Sequence, residues 1–361
     1  MVGRLFLCLW FLSLTATARM AFREKYTITN KTNQLIHLSC DASADQLRTG
    51  IHWRLDGVPL SKNARDNVLN LEVTDRPDAG NYSCHLNNTT ELLRHYYVLI
   101  DVGTQADKIL TEANGNYITC QTERFCGTFT CFWSNREKAM FSANFHREGS
   151  NGDPKDCVVT QCNSSEYAFQ ATCTDQTFSP YAEELRLITF TLEAATSKRY
   201  EKHTKHFYIR DILKPAAPKN LTAPHNKKGR KLEVNWQYPD SWNNPHSYFP
   251  LLFKVDIKLT SRKGKHTRQM MNVDTSAESL ILCSNANAIQ QELKHHQKIS
   301  CRSESPTAVF SVTKKQFRKM GMLCVRVKEM YFNSTWSEPS CIDPRRQKII
   351  LTSSKSGCVP V

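Results

Sequence analysis

From Cys324 onward the chain alternates apolar and charged side chains, Val325 and Val327 against Arg326 and Lys328. Successive side chains of a strand point to opposite faces, so this period of two predicts a half-buried strand. The same alternation recurs in Leu69, Leu71 and Val73, in Leu232, Val234 and Trp236, and in Phe253, Val255 and Ile257. Phe207–Ile212 and Ser279–Cys283 read as further short strands. Strands of one period, spaced by polar and Pro-containing turns, predict an all-β chain of tandem β-sandwiches.

The first residues break that pattern. Arg4 precedes an apolar run from Leu5 to Leu14, and Ala16-Thr17-Ala18 places small residues where a signal peptidase cuts. Residues 1–18 therefore predict a secretory signal peptide. No later stretch has the roughly 18–20 apolar residues of a membrane span, and the tail lacks the run a lipid anchor needs. The expected location is extracellular. Of the 14 cysteines, Cys8 leaves with the leader, and the remaining thirteen imply six disulfides and one unpaired thiol in an oxidising compartment. Glycosylation acceptors begin at Asn30, Asn81, Asn87, Asn88, Asn163, Asn220 and Asn333. A net charge of +14 favours polyanionic glycans over nucleic acid once the chain is secreted.

Cysteines and aromatic residues divide the 361 residues into domains. Over 19–102, Cys40 precedes Trp53, and Cys84 closes Asp78-Ala-Gly80-Asn-Tyr82-Ser-Cys84. Bridging cysteines, a Trp packed on the bridge and a Tyr two residues before the second Cys predict an immunoglobulin-like sandwich. Over 103–212, Cys120 and Cys131 are eleven apart, a spacing that places them on adjacent antiparallel strands within disulfide reach. Trp133 then shares a face with Cys131. Cys126, Cys157, Cys162 and Cys173 remain, with three connectivities open. Lys214-Pro215-Ala-Ala-Pro218 reads as a stiff hinge into 213–343, whose Pro-bounded start and early Trp236 predict a fibronectin type III sandwich. Residues 284–323 read as a long basic connection without clear structure, and 344–361 as a tail. Trp336 falls within reach of the Arg326/Lys328 strand, where an indole stacks against cations.

Chemistry is sparse. The chain has no Gly-rich phosphate loop, no Gly-x-Ser-x-Gly elbow and no paired metal motif. His295-His296 are adjacent, project differently and lack partners at ligand spacing. Catalytic, cofactor and metal roles are therefore not expected. What stands out instead is a set of aromatic residues in loops near the hinge.

Cys120…Cys131-Phe-Trp133, the Pro215/Pro218 hinge and Trp336-Ser337 resemble a class I cytokine-receptor homology module. Tyr238-Pro-Asp-Ser-Trp242-Asn-Asn-Pro245-His-Ser-Tyr248-Phe249 and the run Phe207 to Leu221 are similar to the secreted beta-subunit branch found in interleukin-12-type cytokines. The resemblance implies an immunoglobulin-like domain followed by two fibronectin type III domains. It implies a receptor-like chain that pairs with a four-helix-bundle alpha subunit and signals through class I cytokine receptor chains in immune regulation. A homodimer is a second assembly it allows. It carries partner binding onto Phe125, Tyr248, Glu329, Tyr331 and Phe332, the acid meeting an Arg of the partner, and heparan sulfate binding onto Arg262, Lys263, Lys265 and Arg268. It also implies disulfides from Cys283 to Cys341 and from Cys301 to Cys324.

Two departures stand out. Ser179 occupies the position of the family's interchain cysteine, which moves that link to Cys126, Cys162 or Cys358 or removes it. Pro339 replaces the second Trp of the family signature around Trp336, Ser337 and Arg326. A soluble receptor or decoy would use the same elbow, whereas an adhesion module would need neither the elbow aromatics nor Trp336.

Overall fold

The computed structural model describes residues 26–350 except 30–33, 61–65, 88, 90, 104–107, 150–151, 163–167, 227–229, 260–280, 283–297, 333 and 347. The expected leader, the basic loop with Arg262, Lys263, Lys265 and Arg268, and His295-His296 lie outside these residues. So do Cys283, Cys358, Asn30, Asn88, Asn163 and Asn333. Strands dominate the described chain; its α-helices are the short segments Ala44–Thr49 and Lys314–Lys319.

In the first domain Trp53 is fully buried beside the Cys40–Cys84 disulfide. The Tyr82 hydroxyl donates to the Asp78 carbonyl at 2.7 Å, closing the corner before the second cysteine. Burial, with Asp78 and Asp56 nearby, pushes the Tyr82 phenol up to about 12. The domain does not end in a separate sheet. Its Leu92–Asp101 strand pairs in parallel with Arg199–Phe207, through Ile100–Arg199 and Asp101–Tyr200. One nine-stranded sheet thus runs through both domains. Leu99, Ala195 and Tyr200 bury a small core at that seam.

In the second domain Cys131 lies directly opposite Cys120, and the two form a disulfide with a Cα separation of 4.0 Å. Trp133, one inward step further, packs edge-on against Phe141 and parallel to Phe169. None of the three open connectivities is realised whole: Cys157 is bonded to Cys173, but Cys126 is not bonded to Cys162. The reason for the Cys157–Cys173 bond is register: Val158–Gln161 pairs with Ala168–Thr174, which sets these two sulfurs side by side. Cys162 is also disulfide-bonded, and Cys126 is a free thiol.

The third domain buries Trp236, Phe253, Val255, Phe310, Val325 and Val327 between two sheets. Two sequence expectations are corrected here. Residues 284–323 are not one unstructured connection, because Lys298–Ser303 pairs with Leu251–Leu259 and Thr307–Ser311 pairs with Lys231–Gln237. Lys314–Lys319 then forms a helix capped by Thr313 and Gln316, and Met320–Glu329 begins at once. The first strand belongs to one sheet and the second to the other, so this segment crosses the sandwich. Second, Cys324 is bonded to Cys341, its direct partner across adjacent antiparallel strands, at a Cα separation of 4.1 Å. Neither the Cys283–Cys341 nor the Cys301–Cys324 pairing exists. Cys324 shares the outward parity of Arg326 and Lys328, whereas Cys301 is buried in the core and disulfide-bonded elsewhere.

Candidate functional site: the elbow between the second and third domains

The hinge is held as extended backbone. The Thr122 N–H donates to Ile212, and the Lys214 N–H donates back to Thr122, at 2.9 and 2.8 Å. On the far side the Thr335 N–H donates to Leu213 at 2.9 Å, and the Lys214 ammonium pairs with Glu338 at 3.0 Å. Around this hinge the turn 121–128, the loop 178–184, the loop 242–250 and the loop 330–332 converge. They enclose a groove of about 800 Å³.

Phe125 belongs to the second domain, but its ring packs on the third, with centroids 5.4 Å from Phe249, 5.9 Å from Trp242 and 6.1 Å from Phe332. Tyr248, Tyr331 and Phe332 stand exposed on the rim, Tyr331 at 72 %. The structure therefore brings together all of Phe125, Tyr248, Glu329, Tyr331 and Phe332 around one groove.

Glu329 is placed differently from a rim acid. It sits at the end of the Met320–Glu329 strand on the inward parity of Leu323, Val325 and Val327, and it is only 1 % exposed. Its carboxylate accepts the N–H of Phe332, with those of Tyr331 and Met330 close by. Its own N–H donates to Ser334 Oγ at 2.8 Å. Loss of water holds its pKa above the ordinary carboxylate value in spite of those amides and the Lys328 charge. Glu329 is the floor of the groove and the anchor of the loop that carries Tyr331 and Phe332.

The second-domain wall was not legible in the sequence. The Arg147 guanidinium binds Asp175 at 2.5 Å and Glu184 at 3.0 Å, which fixes the loop from Phe178 to Glu184. That loop presents exposed Tyr181 and Glu183 to the groove. Among the lining residues the cation is Arg210, and it is engaged. It donates to the Glu184 carbonyl at 2.9 Å and lies 4.0 Å over the Tyr208 ring. The arrangement is an aromatic rim over acidic walls.

A family model described as the C-terminus of cytokine interleukin-12p40 matches residues 115–196, which include the Cys120–Cys131 hairpin and the 178–184 wall. The chain is also similar to curated proteins. It is 27 % identical over 321 residues to interleukin-12 subunit beta of Homo sapiens, covering 84 % of this chain and 85 % of that protein. It is 31 % identical over 272 residues to interleukin-12 subunit beta of Macaca mulatta, covering 70 % and 80 %. The chain belongs to the interleukin-12 beta-subunit family. Its curated relatives are thus named as subunits of a cytokine, not as enzymes.

The cation stack expected at Trp336 is formed by lysines. The ammonium groups of Lys254 and Lys328 lie over the Trp336 ring, 6.0 and 5.4 Å from its centroid. Arg326, expected to share that stack, instead faces Asp256 at 3.6 Å. Ser337 is buried, and it exchanges hydrogen bonds with Val327: Ser337 N–H to the Val327 carbonyl at 2.8 Å, and Val327 N–H to Ser337 Oγ at 3.0 Å.

The remaining expected sites are dispersed. Asn87 and Asn220 are exposed, whereas Asn81 is half-buried in the Gly80–Leu86 strand with Ser83 of its sequon buried. Cys126 is half-exposed, next to Phe125, while the bonded Cys162 has no thiol to offer. In this family member no helix among the described residues is long and apolar enough to cross a membrane.

Proposed function

We infer that the chain is the receptor-like beta chain of a secreted heterodimeric cytokine and seats a four-helix-bundle subunit in the elbow groove. The domain limits 19–102, 103–212 and 213–343 put that groove at the second boundary. The observation that carries the reading is the exposed rim of Tyr181, Tyr248, Tyr331 and Phe332 above the acids Glu183 and Glu329. Exposed aromatic side chains give large contact area at low entropic cost and dominate interface energetics. Acidic walls select a cationic group, and a planar guanidinium on the partner helix suits carboxylates best. In this reading Glu183 meets the cation first, and Glu329 acts from beneath as the fixed negative end of the loop. The assembled pair then engages class I cytokine receptor chains, and the loop with Arg262, Lys263, Lys265 and Arg268 retains it on heparan sulfate-type glycans.

Co-expression with the helical subunit tests the groove. Tyr248→Ala with Tyr331→Ala removes two exposed rings, of which Tyr248 meets the core only edge-on at Phe249, so the chain still folds. Hot-spot losses of about 2 kcal/mol or more predict a fall in secreted heterodimer of roughly 30-fold. Undiminished heterodimer in the medium overturns the assignment.

A further inference from the structure

Asn243 lies in the loop before the Leu251–Leu259 strand of the third domain, yet its side chain serves the second domain. Its Oδ1 accepts the Phe125 N–H at 2.8 Å, and its Nδ2 donates to the Phe125 carbonyl at 2.9 Å. A backbone donor and acceptor are thus satisfied together by one planar amide, as a neighbouring strand satisfies them. The next residue continues the contact: the Asn244 carbonyl accepts the Tyr181 hydroxyl at 3.0 Å. Consecutive residues of one loop therefore hold both second-domain segments that wall the groove.

Each end of this contact is rigid within its own domain. Trp242, beside Asn243, is buried, and its indole N–H donates to the Phe249 carbonyl at 2.9 Å. The Phe125 turn is tied down through Gly127, whose carbonyl accepts the Asp175 N–H at 2.8 Å, and Asp175 is held by Arg147. A Cβ on Gly127 would meet the Asp175 carbonyl oxygen at 1.9 Å, so the turn can approach its neighbour only as glycine. With both ends fixed, the Asn243–Phe125 pair acts on the relation between the domains, together with the packing of the Phe125 ring on Phe249, and not on a local loop shape. Asparagine is the side chain that fits between them. Serine is too short to reach both backbone groups, aspartate lacks the donor, and glutamine adds a methylene to a fixed gap.

We propose that Asn243 is a positioning residue that locks the elbow and preforms the groove before a partner arrives. The partner then meets a finished site, and association does not wait for the domains to reorient. This deepens the elbow reading and rests on it.

Hydrogen exchange and small-angle scattering on the full chain test the lock without any partner, exchange reading the lost hydrogen bond and scattering reading the relation between the domains. In Asn243→Ala, exchange at the Phe125 amide speeds up by about tenfold or more. The amides of Val325 and Val327 keep their protection, which shows that the third domain is intact. Small-angle scattering of the same variant shows a broadened distribution of interdomain distances. Asn243→Asp keeps the acceptor and loses the donor; it has an intermediate effect and carries the test if the alanine variant unfolds. A merely local role for Asn243 would speed Phe125 exchange, since that amide loses its own acceptor, but would leave the interdomain distances from scattering unchanged in both variants, and that result overturns the proposal. Rebinding of the subunit that co-purifies with the wild-type chain should slow in Asn243→Ala. If the wild type co-purifies no helical subunit, the elbow reading fails while the lock still stands or falls on scattering alone.

Discussion

Replacing Glu329 by Gln and by Ala separates an acid that meets a partner from an acid that builds the loop. The carboxylate is 1 % exposed, and it accepts the Phe332 N–H with those of Tyr331 and Met330 beside it. A hydrogen bond to a charged group contributes about 1.5–3 kcal/mol, and a neutral one about 0.5–1.5. Glutamine keeps an acceptor, so each retained bond weakens by about 1 kcal/mol, and the smaller desolvation cost more than offsets this, which is the sense of the raised carboxyl pKa. Alanine leaves buried amides without an acceptor, at about 1–3 kcal/mol for each that stays dry. The cheaper response is for residues 330–332 to open to water. Glu329→Ala should therefore speed exchange of the Tyr331 and Phe332 amides by at least about tenfold and lower stability in urea by about 2–3 kcal/mol. The pH dependence supplies a second signature. Burial raises the carboxyl pKa in the folded chain, so the folded state holds the proton more tightly than the unfolded state. The stability from this group is full below the unfolded value and is lost as pH rises through the folded one. Relative to Glu329→Gln, the wild type thus loses stability as pH rises from the ordinary value of 4.5. Wild-type exchange at Phe332 in Glu329→Ala, with no pH-dependent difference between wild type and Glu329→Gln, would refute the loop-anchor role.

Trp336→Ala removes contacts to Lys254 and Lys328, each worth about 0.5–1 kcal/mol, and should lower the urea midpoint by the equivalent of roughly 1–2 kcal/mol. An unchanged midpoint would show that the stack contributes nothing. Opening the Cys324–Cys341 link with Cys324→Ser and Cys341→Ser frees a separation of 17 residues and should cost about 3 kcal/mol. Peptide mapping of the wild type should recover Cys324 joined to Cys341; recovery of Cys324 joined to Cys301 would refute the register.

The legible parts of the fold were those written in local spacing. Cys40, Trp53, Tyr82 and Cys84 specify one sandwich because each side chain's place follows from its position on a strand. Cys120 and Cys131 needed only a hairpin. The seam that merges two domains into one sheet was not legible, because parallel pairing of Ile100 with Arg199 is a backbone contact with no side-chain signature. The strand Thr307–Ser311 was hidden because Val309 is exposed between buried Ala308 and Phe310, which turns an alternation into an apolar run. At the site, Tyr248, Tyr331 and Phe332 were readable as aromatic residues stranded in loops. The burial of Glu329 was also readable, since it shares parity with Val325 and Val327, but a charge at a strand end invites the opposite inference. Tyr181 carried only a weak signal, an aromatic residue beside Pro180 in a polar loop. Asn243 carried none, because its partner is 118 residues away.

The same strand supplies both the scaffold and the site, and the hydrogen bonds show how the two are joined. Inward, Val325 and Val327 fill the core and Glu329 ends the series at the groove floor. Outward, Lys328 holds Trp336. The segment after the rim loop then returns along the strand: Ser334 takes the Glu329 N–H, and Ser337 exchanges bonds with Val327. Tyr331 and Phe332 are thereby suspended between two fixed ends, Glu329 before them and Ser334 after. A perturbation at Trp336 loosens the second end, so it should reach the rim through Ser337 and Ser334 without touching the groove. With Pro339 where the resemblance expects a further Trp, Trp336 is the one indole of the expected outward stack. Holding the rim then falls more heavily on the buried carboxylate, and Glu329→Ala should expose Tyr331 and Phe332 to exchange more than Trp336→Ala does.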